Sequence, residues 1–254
     1  MIEQSPFGRV VVPDAVPEGF ALFYTTRDFE GRLGDGVAER VVGFIAERFG
    51  IDASLSTCVQ VHGVAVAAAL RGVWSECDSC DALYSAQHDT ALGIKVADCL
   101  PVTMIDPLHS VIANIHSGWR GAVQRITAAT LDTLARETSF DPHSARAWLG
   151  PTIRACCFEV GEEVAEQFDE KYVARGARRE AQGVWSAPRA PRPAPDIKPH
   201  VDVAAFTTDI LRERGFAADA IIDTKLCTRC DGSIFHSYRR DGKGGGRNLA
   251  IVAQ

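Results

Sequence analysis

The 254 residues are 46% hydrophobic and 24% charged, the balance of a folded globular protein, which excludes disorder and fibrous repeats. Twenty-seven basic against 33 acidic residues leave a net charge of −6, a poor match to a phosphate backbone, so nucleic acid is not an expected partner. No apolar run approaches the roughly 18 residues that span a bilayer and no basic-then-apolar leader opens the chain, so a cytoplasmic protein with no membrane partner and reduced cysteines is expected.

Strand-like and helix-like runs alternate. Phe20–Thr26 reads as a strand, and residues 35–49 place Val37, Val41, Phe44, Ile45 and Phe49 at helical spacing before Gly50. Ser56–Val66 reads as a second strand, and Thr90–Ala97 and Ser110–Ile115 as two buried ones. Between the last two, Pro101 and Pro107 predict an edge strand over Val102–Ile105 followed by a turn. A single amphipathic helix is expected over Gly121–Glu137, a short strand over Ala145–Leu149, and helices over Glu159–Phe168 and Val201–Arg214. Strands follow near Ala220–Asp223, Ile234–Tyr238 and Asn248–Val252. Five prolines in Arg175–Pro199 predict a long surface loop, either a lid or an insert without catalytic residues. No repeat or composition break divides residues 1–254, so one α/β domain is expected.

Ligand atoms suited to chemistry leave three strand ends. His62 lies in QVHG, Cys99 in ADC and His116 in HSGWRG. Two imidazoles and one thiolate suit zinc, and three protein ligands leave the fourth position for water or substrate. Spacing alone leaves a second reading open, a core thiol and two hydrogen-bonded histidines. Two CxxC pairs, Cys77/Cys80 and Cys227/Cys230, could together form a four-cysteine site, although 147 residues separate them. Cys58 reads as core. Gly242–Gly246 could offer amides to an anion but lacks the phosphate-loop ending, which favours a flexible turn.

QVHG, CDSCDAL, VADCLPV, HSGWRGAV, AWLGPTIRACCFEVGEEV and SYRRDGKGGGRNLAIV occur in that order. Together they resemble the laccase-domain family, also called multicopper polyphenol oxidase or YfiH-like, whose members are described as purine nucleoside phosphorylases. The resemblance runs from about Thr25 to Val252. It implies a single domain with α-β-β-α layered mixed sheets, related to cysteine-hydrolase-like folds, and zinc ligands at His62, Cys99 and His116. It also implies that Cys156-Cys157 form a structural turn. The chain departs from the family at Ser117, where many relatives have alanine, in the proline-rich insert, and after Arg27.

The resemblance implies zinc-dependent phosphorolysis of purine nucleosides (adenosine, inosine, guanosine or S-methyl-5'-thioadenosine) with inorganic phosphate, and adenosine deamination in the same pocket. Deamination needs a proton carrier, for which Asp98 is the local candidate, with a structural carboxylate as the other reading. Candidate substrate contacts are Gln60, Arg27, Arg120 and the Tyr238-Arg239-Arg240 run, because guanidinium forks match phosphate oxygens. Among the remaining histidines, His236 is the one expected to reach the pocket. Two other classes compete. Two histidines and a cysteine also suit copper, hence a phenol oxidase, although seven histidines fall short of a multicopper set. Cys99 with His116 or His62 also suits a metal-free cysteine hydrolase, for which the resemblance implies editing of peptidoglycan precursors as one role.

Overall fold

In the computed structural model, residues 1–29, 36–69, 74–175 and 198–254 are described. Fifteen strands form along the described chain: β1 (Ile2–Ser5), β2 (Gly8–Val11), β3 (Ala21–Thr25), β4 (Ser54–Cys58), β5 (Val66–Ala68), β6 (Trp74–Cys77), β7 (Ala82–Ser85), β8 (Thr90–Val96), β9 (Leu100–Asp106), β10 (Val111–Ser117), β11 (Arg146–Leu149), β12 (Val173–Ala174), β13 (His200–Val201), β14 (Ile221–Asp223) and β15 (Asn248–Ala253). The α-helices are α1 (Val37–Phe49), α2 (Trp119–Val123), α3 (Ile126–Glu137), α4 (Glu162–Ala165), α5 (Val203–Glu213) and α6 (Tyr238–Asp241). One mixed sheet has the order β1-β2-β3-β15-β8-β4-β6, the other β14-β11-β9-β10-β7-β5.

Period-two alternation builds the layers, because successive side chains of a strand point to opposite faces. In β3, Ala21 and Phe23 face α1, while Leu22 and Tyr24 face the second sheet. In β15, Leu249 and Ile251 face α1, while Ala250 and Val252 face inward. The second sheet mirrors this. Val111, Ala113 and Ile115 of β10 pack towards α2, α3 and α5, whereas Ile112 enters the layer between the sheets. The result is α-β-β-α. Asn114 ties the two sheets together, donating to the carbonyls of Leu92 and Ala250 at 3.0 and 2.9 Å and accepting from Thr103 Oγ1 at 3.1 Å. By the same alternation His116 lies on the Asn114 side of β10, at its end.

Several sequence expectations need correction. The strand beginning at Ser54 stops at Cys58, so Gln60–Gly63 lies in a loop. The expected edge strand is instead β9, a seven-residue interior strand paired on both sides. Pro101 is tolerated as its second residue, and its carbonyl accepts Gly150 N at 3.0 Å. The expected long helix breaks into α2 and α3 at Arg125, which takes φ 63° and pairs with Glu213 of α5 at 2.5 Å. Of Glu159–Phe168 only α4 is α-helical, because Glu159 bridges His200 and Val160 N bonds the Pro199 carbonyl. Ile234–Tyr238 makes no strand. The Asn248 side chain takes both main-chain groups of His236 at 3.0 Å, in place of a neighbouring strand. Residues 176–197 of the proline-rich insert lie outside the described residues. Among the described residues no helix is long and apolar enough to cross a membrane.

Candidate active site

Three chain segments meet at one end of the sandwich: the loop after β4, the turn between β8 and β9, and the end of β10. They bring donor atoms of His62, Cys99 and His116 within 4.8 Å of one another. Cys99 Sγ lies 3.9 Å from His62 Nε2, and the two imidazole centroids are 4.7 Å apart at 81°. Tetrahedral zinc bonded to sulfur at about 2.3 Å and nitrogen at about 2.1 Å would separate those atoms by about 3.6 Å, so the donor set fits the ion.

Asp81 organises this site. Its fully buried carboxylate accepts from His116 Nδ1 at 2.7 Å and from the main-chain N–H groups of His62, Gly63 and Val61 at 2.9, 2.7 and 3.2 Å. One side chain therefore shapes the His62 loop, where His62 holds φ 61°. It also commits Nδ1 of His116 to the carboxylate and leaves Nε2 for a ligand, the usual arrangement behind a metal-binding imidazole. Burial pushes the Asp81 carboxyl up, but the bonds from His116, Gly63 and His62 outweigh it and hold it below its ordinary value. Packing likewise pushes the Cys99 thiol up, yet His116 and His62 bring it down to about 7. Burial disfavours the charged ring of His116, and its bonds to Asp81 and Cys99 reverse this, raising it to about 9.

The donors line a cleft of about 880 Å³. Its walls carry Trp119 and Phe158 as apolar faces, and Arg120, Arg239 and Arg247 as cations. Arg120 lies over the Trp119 ring at 4.3 Å and Arg239 over Phe158 at 5.7 Å. Gly118 must be small. A Cβ there would stand 3.0 Å from His62 Cδ2 and 3.1 Å from Cys99 Sγ.

The sequence profile described as multi-copper polyphenol oxidoreductase laccase matches residues 35–254. The chain belongs to that family. It is 34% identical over 212 residues to a purine nucleoside phosphorylase of Deinococcus radiodurans, covering 83% of this chain and 72% of that protein. It is 32% identical over 188 residues to adenosine deaminase RL5 from an unknown prokaryotic organism, covering 73% of this chain and 63% of RL5, less than two thirds of its length. Among solved structures it resembles YlmD of Geobacillus stearothermophilus, with TM-score 0.76, 22% identity and coverage of 100% and 98%. It also resembles YfiH of Bacillus licheniformis, with TM-score 0.75, 21% identity and 92% coverage of both chains.

The other residues singled out in this laccase-family chain fall into two groups. Asp98, Gln60, Arg120, Tyr238 and Arg239 line the cleft with the three donors. Within it, Gln60 spends its amide on the Lys95 main chain, accepting from N at 2.8 Å and donating to O at 2.7 Å. Asp98, at φ 82°, accepts from Thr228 Oγ1 at 2.6 Å, Arg239 N at 2.7 Å and Ser237 Oγ at 3.1 Å. Its carboxylate thus anchors the turn that presents Cys99. Outside the lining, Arg27 donates to the Gly232 carbonyl, Arg240 pairs with Asp241 at 2.7 Å, and the His236 ring packs beneath Gly246.

Sequence reasoning missed Asp81, Gly118 and Arg247. Asp81 sits in the quoted CDSCDAL motif, and Arg247 directly follows the glycine run. The cysteines also regroup. Cys227 and Cys230 meet Cys156 and Cys157, with all four sulfur atoms within 4.8 Å, and Cys77 and Cys80 are not part of that cluster. This four-cysteine group has the donor set of a metal site.

Proposed function

We propose that this chain is a zinc-dependent purine nucleoside phosphorylase that uses inorganic phosphate on adenosine, inosine, guanosine or S-methyl-5'-thioadenosine. The observation that carries the reading is the meeting of His62, Cys99 and His116 in an open cleft, with the two histidines positioned by Asp81. His62, Cys99 and His116 would hold zinc there, and the ion would supply a Lewis acid to the cleft.

The chain's own residues supply binding and orientation. Phosphorolysis forms a bond from a phosphate oxygen to the sugar C1' and breaks the bond from C1' to the purine nitrogen. The electron pair leaves with the base. Trp119 and Phe158 offer ring faces to a purine, and Arg120, Arg239 and Arg247 offer forked donors to phosphate. Asp98 acts as a positioning residue through the turn before Cys99, because its oxygens are already engaged. Arg27 is the candidate contact outside the lining. Adenosine deamination in the same cleft is the companion activity, supported by the similarity to RL5.

Phosphate-dependent release of base from inosine, lost on chelation and restored by zinc, tests the reading. Arg120→Ala should raise KM for phosphate by about 10-fold and KM for nucleoside much less, as expected for loss of ground-state anion binding. Arg27→Ala is compared with it: a larger rise there would place the anion at the rim near Gly232. Base release indifferent to phosphate and chelator would refute the assignment. Copper fits the same donors and binds such sites more tightly, so a blue copper–thiolate band with phenol oxidation would favour an oxidase.

One observation favours a second reading. Cys99, His116 and Asp81 stand in the order nucleophile, base and orienting carboxylate, with the thiol lowered to about 7. A cysteine hydrolase acting on an amide would keep its activity after chelation, and Cys99→Ser would abolish turnover without changing metal content.

A further inference from the structure

Two loops run side by side: residues 150–161 after β11 and residues 224–237 after β14. Thr152 and Cys227 form a parallel bridge, Thr152 N bonds the Leu226 carbonyl at 3.3 Å, and Thr228 N bonds the Thr152 carbonyl at 3.0 Å. Beyond this bridge the loops converge on four sulfur atoms. Cys156 Sγ lies 3.8 Å from both Cys227 Sγ and Cys230 Sγ, and Cys157 Sγ lies 3.3 Å from Cys230 Sγ. None of these cysteines is in a disulfide. Tetrahedral zinc bonded to four sulfurs at about 2.3 Å would place them about 3.8 Å apart. The cluster already has that size.

Its surroundings suit a bound cation. Cys157 and Cys227 are buried, Cys156 is half-buried and Cys230 is exposed, which gives an entry path. With four protein donors no coordination position remains for substrate, the mark of a structural zinc site as opposed to a catalytic one. None of the four cysteines lines the cleft.

The two loops nevertheless hold the cleft. Thr152 Oγ1 and Ile153 N donate to the Asp98 carbonyl at 2.7 and 3.0 Å, and Thr228 Oγ1 donates to the Asp98 carboxylate. We propose that Cys156, Cys157, Cys227 and Cys230 bind a zinc ion of their own, separate from His62, Cys99 and His116, and that this ion clips together the two loops anchoring the Asp98–Cys99 turn. Cys156 and Cys227 are 71 residues apart in sequence, so the ion would add a cross-link between segments distant along the chain, next to the Thr152–Cys227 bridge. The assignment stands independently of the phosphorylase reading.

Zinc content per chain, measured on the whole protein by elemental analysis and native mass spectrometry, tests it. The double variant His62→Ala/His116→Ala should keep one ion, with the thiols of Cys156, Cys157, Cys227 and Cys230 protected from a thiol reagent until denaturation. Cys156→Ser/Cys230→Ser should lose that ion and melt at a lower temperature. In the histidine double variant, cobalt substitution should give intense sulfur-to-metal charge-transfer absorption. The single substitution Cys230→Ala, at the exposed ligand, gives the same readout if the double serine variant fails to fold. A metal-free histidine double variant with a reactive Cys230 thiol would overturn the proposal. So would a mass lowered by disulfide formation, or iron in place of zinc.

Discussion

Asp81→Asn tests how one buried carboxylate holds the His62 loop and the His116 ring in register. Each oxygen serves two donors: Oδ1 accepts from His62 N and His116 Nδ1, and Oδ2 from Gly63 N and Val61 N. Asparagine offers one acceptor oxygen and one amino group. Whichever way the amide turns, two of the four donors lose their acceptor and face an NH2 group. Each donor left unpaired costs about 1–3 kcal/mol, and one or two are left according to whether the His116 ring accepts from the amino group, so the variant should lose about 1–6 kcal/mol of stability. If the amino group faces His116, the ring must accept at Nδ1 and carry its proton on Nε2, the atom a metal needs. Zinc affinity should then fall about 10–100-fold, the usual cost of losing such a partner. Urea unfolding reads the first effect, and competition with a chromogenic chelator reads the second on the folded variant. An unchanged unfolding midpoint together with zinc affinity within about twofold of the parent would refute the role given to Asp81.

Three further substitutions probe other parts of the argument. Gly118→Ala, which pushes a methyl group against His62 and Cys99, should lower zinc affinity and activity by at least about 10-fold while the far-ultraviolet spectrum stays unchanged. Ser117→Ala should stabilise the protein by about 1 kcal/mol, because Ser117 Oγ is buried without a hydrogen-bond partner; a lower urea midpoint would contradict this. The pH dependence of stability tests Asp106. Burial pushes its carboxyl up, but bonds from Asp141 N, His109 and Ser144 outweigh it and leave the folded value below the ordinary one. Such a group contributes stability present above its unfolded value of about 3.9 and lost as pH falls through the folded value. Asp106→Asn should therefore flatten the acid limb of melting temperature below about pH 5.

Local chemistry made much of the molecule legible in advance. Apolar spacing at Val37, Val41, Phe44 and Ile45 requires an amphipathic helix wherever it packs, and α1 forms there. Continuous apolar runs became β8, β10 and β15, buried on both faces because sheets and helices cover them. His62, Cys99 and His116 were found by residue type and ordered motifs, and they converge. What failed depended on partners distant in sequence. Main-chain groups near His236 are satisfied by the Asn248 side chain, so a strand-like run forms no strand. The buried position of β9 follows from β10 and β11 lying on either side of it, which its own prolines do not reveal. Asp81 reads as one acid among many until the fold surrounds it with four N–H donors. Cys227 and Cys230 invited pairing with another CxxC, but metal donors are selected by distance in space, and the Thr152–Cys227 bridge delivers Cys156 and Cys157 to them. Periodicity and residue type act over a few residues and can be read along the chain. Hydrogen-bond satisfaction and donor convergence act through space and exist only once the chain has folded.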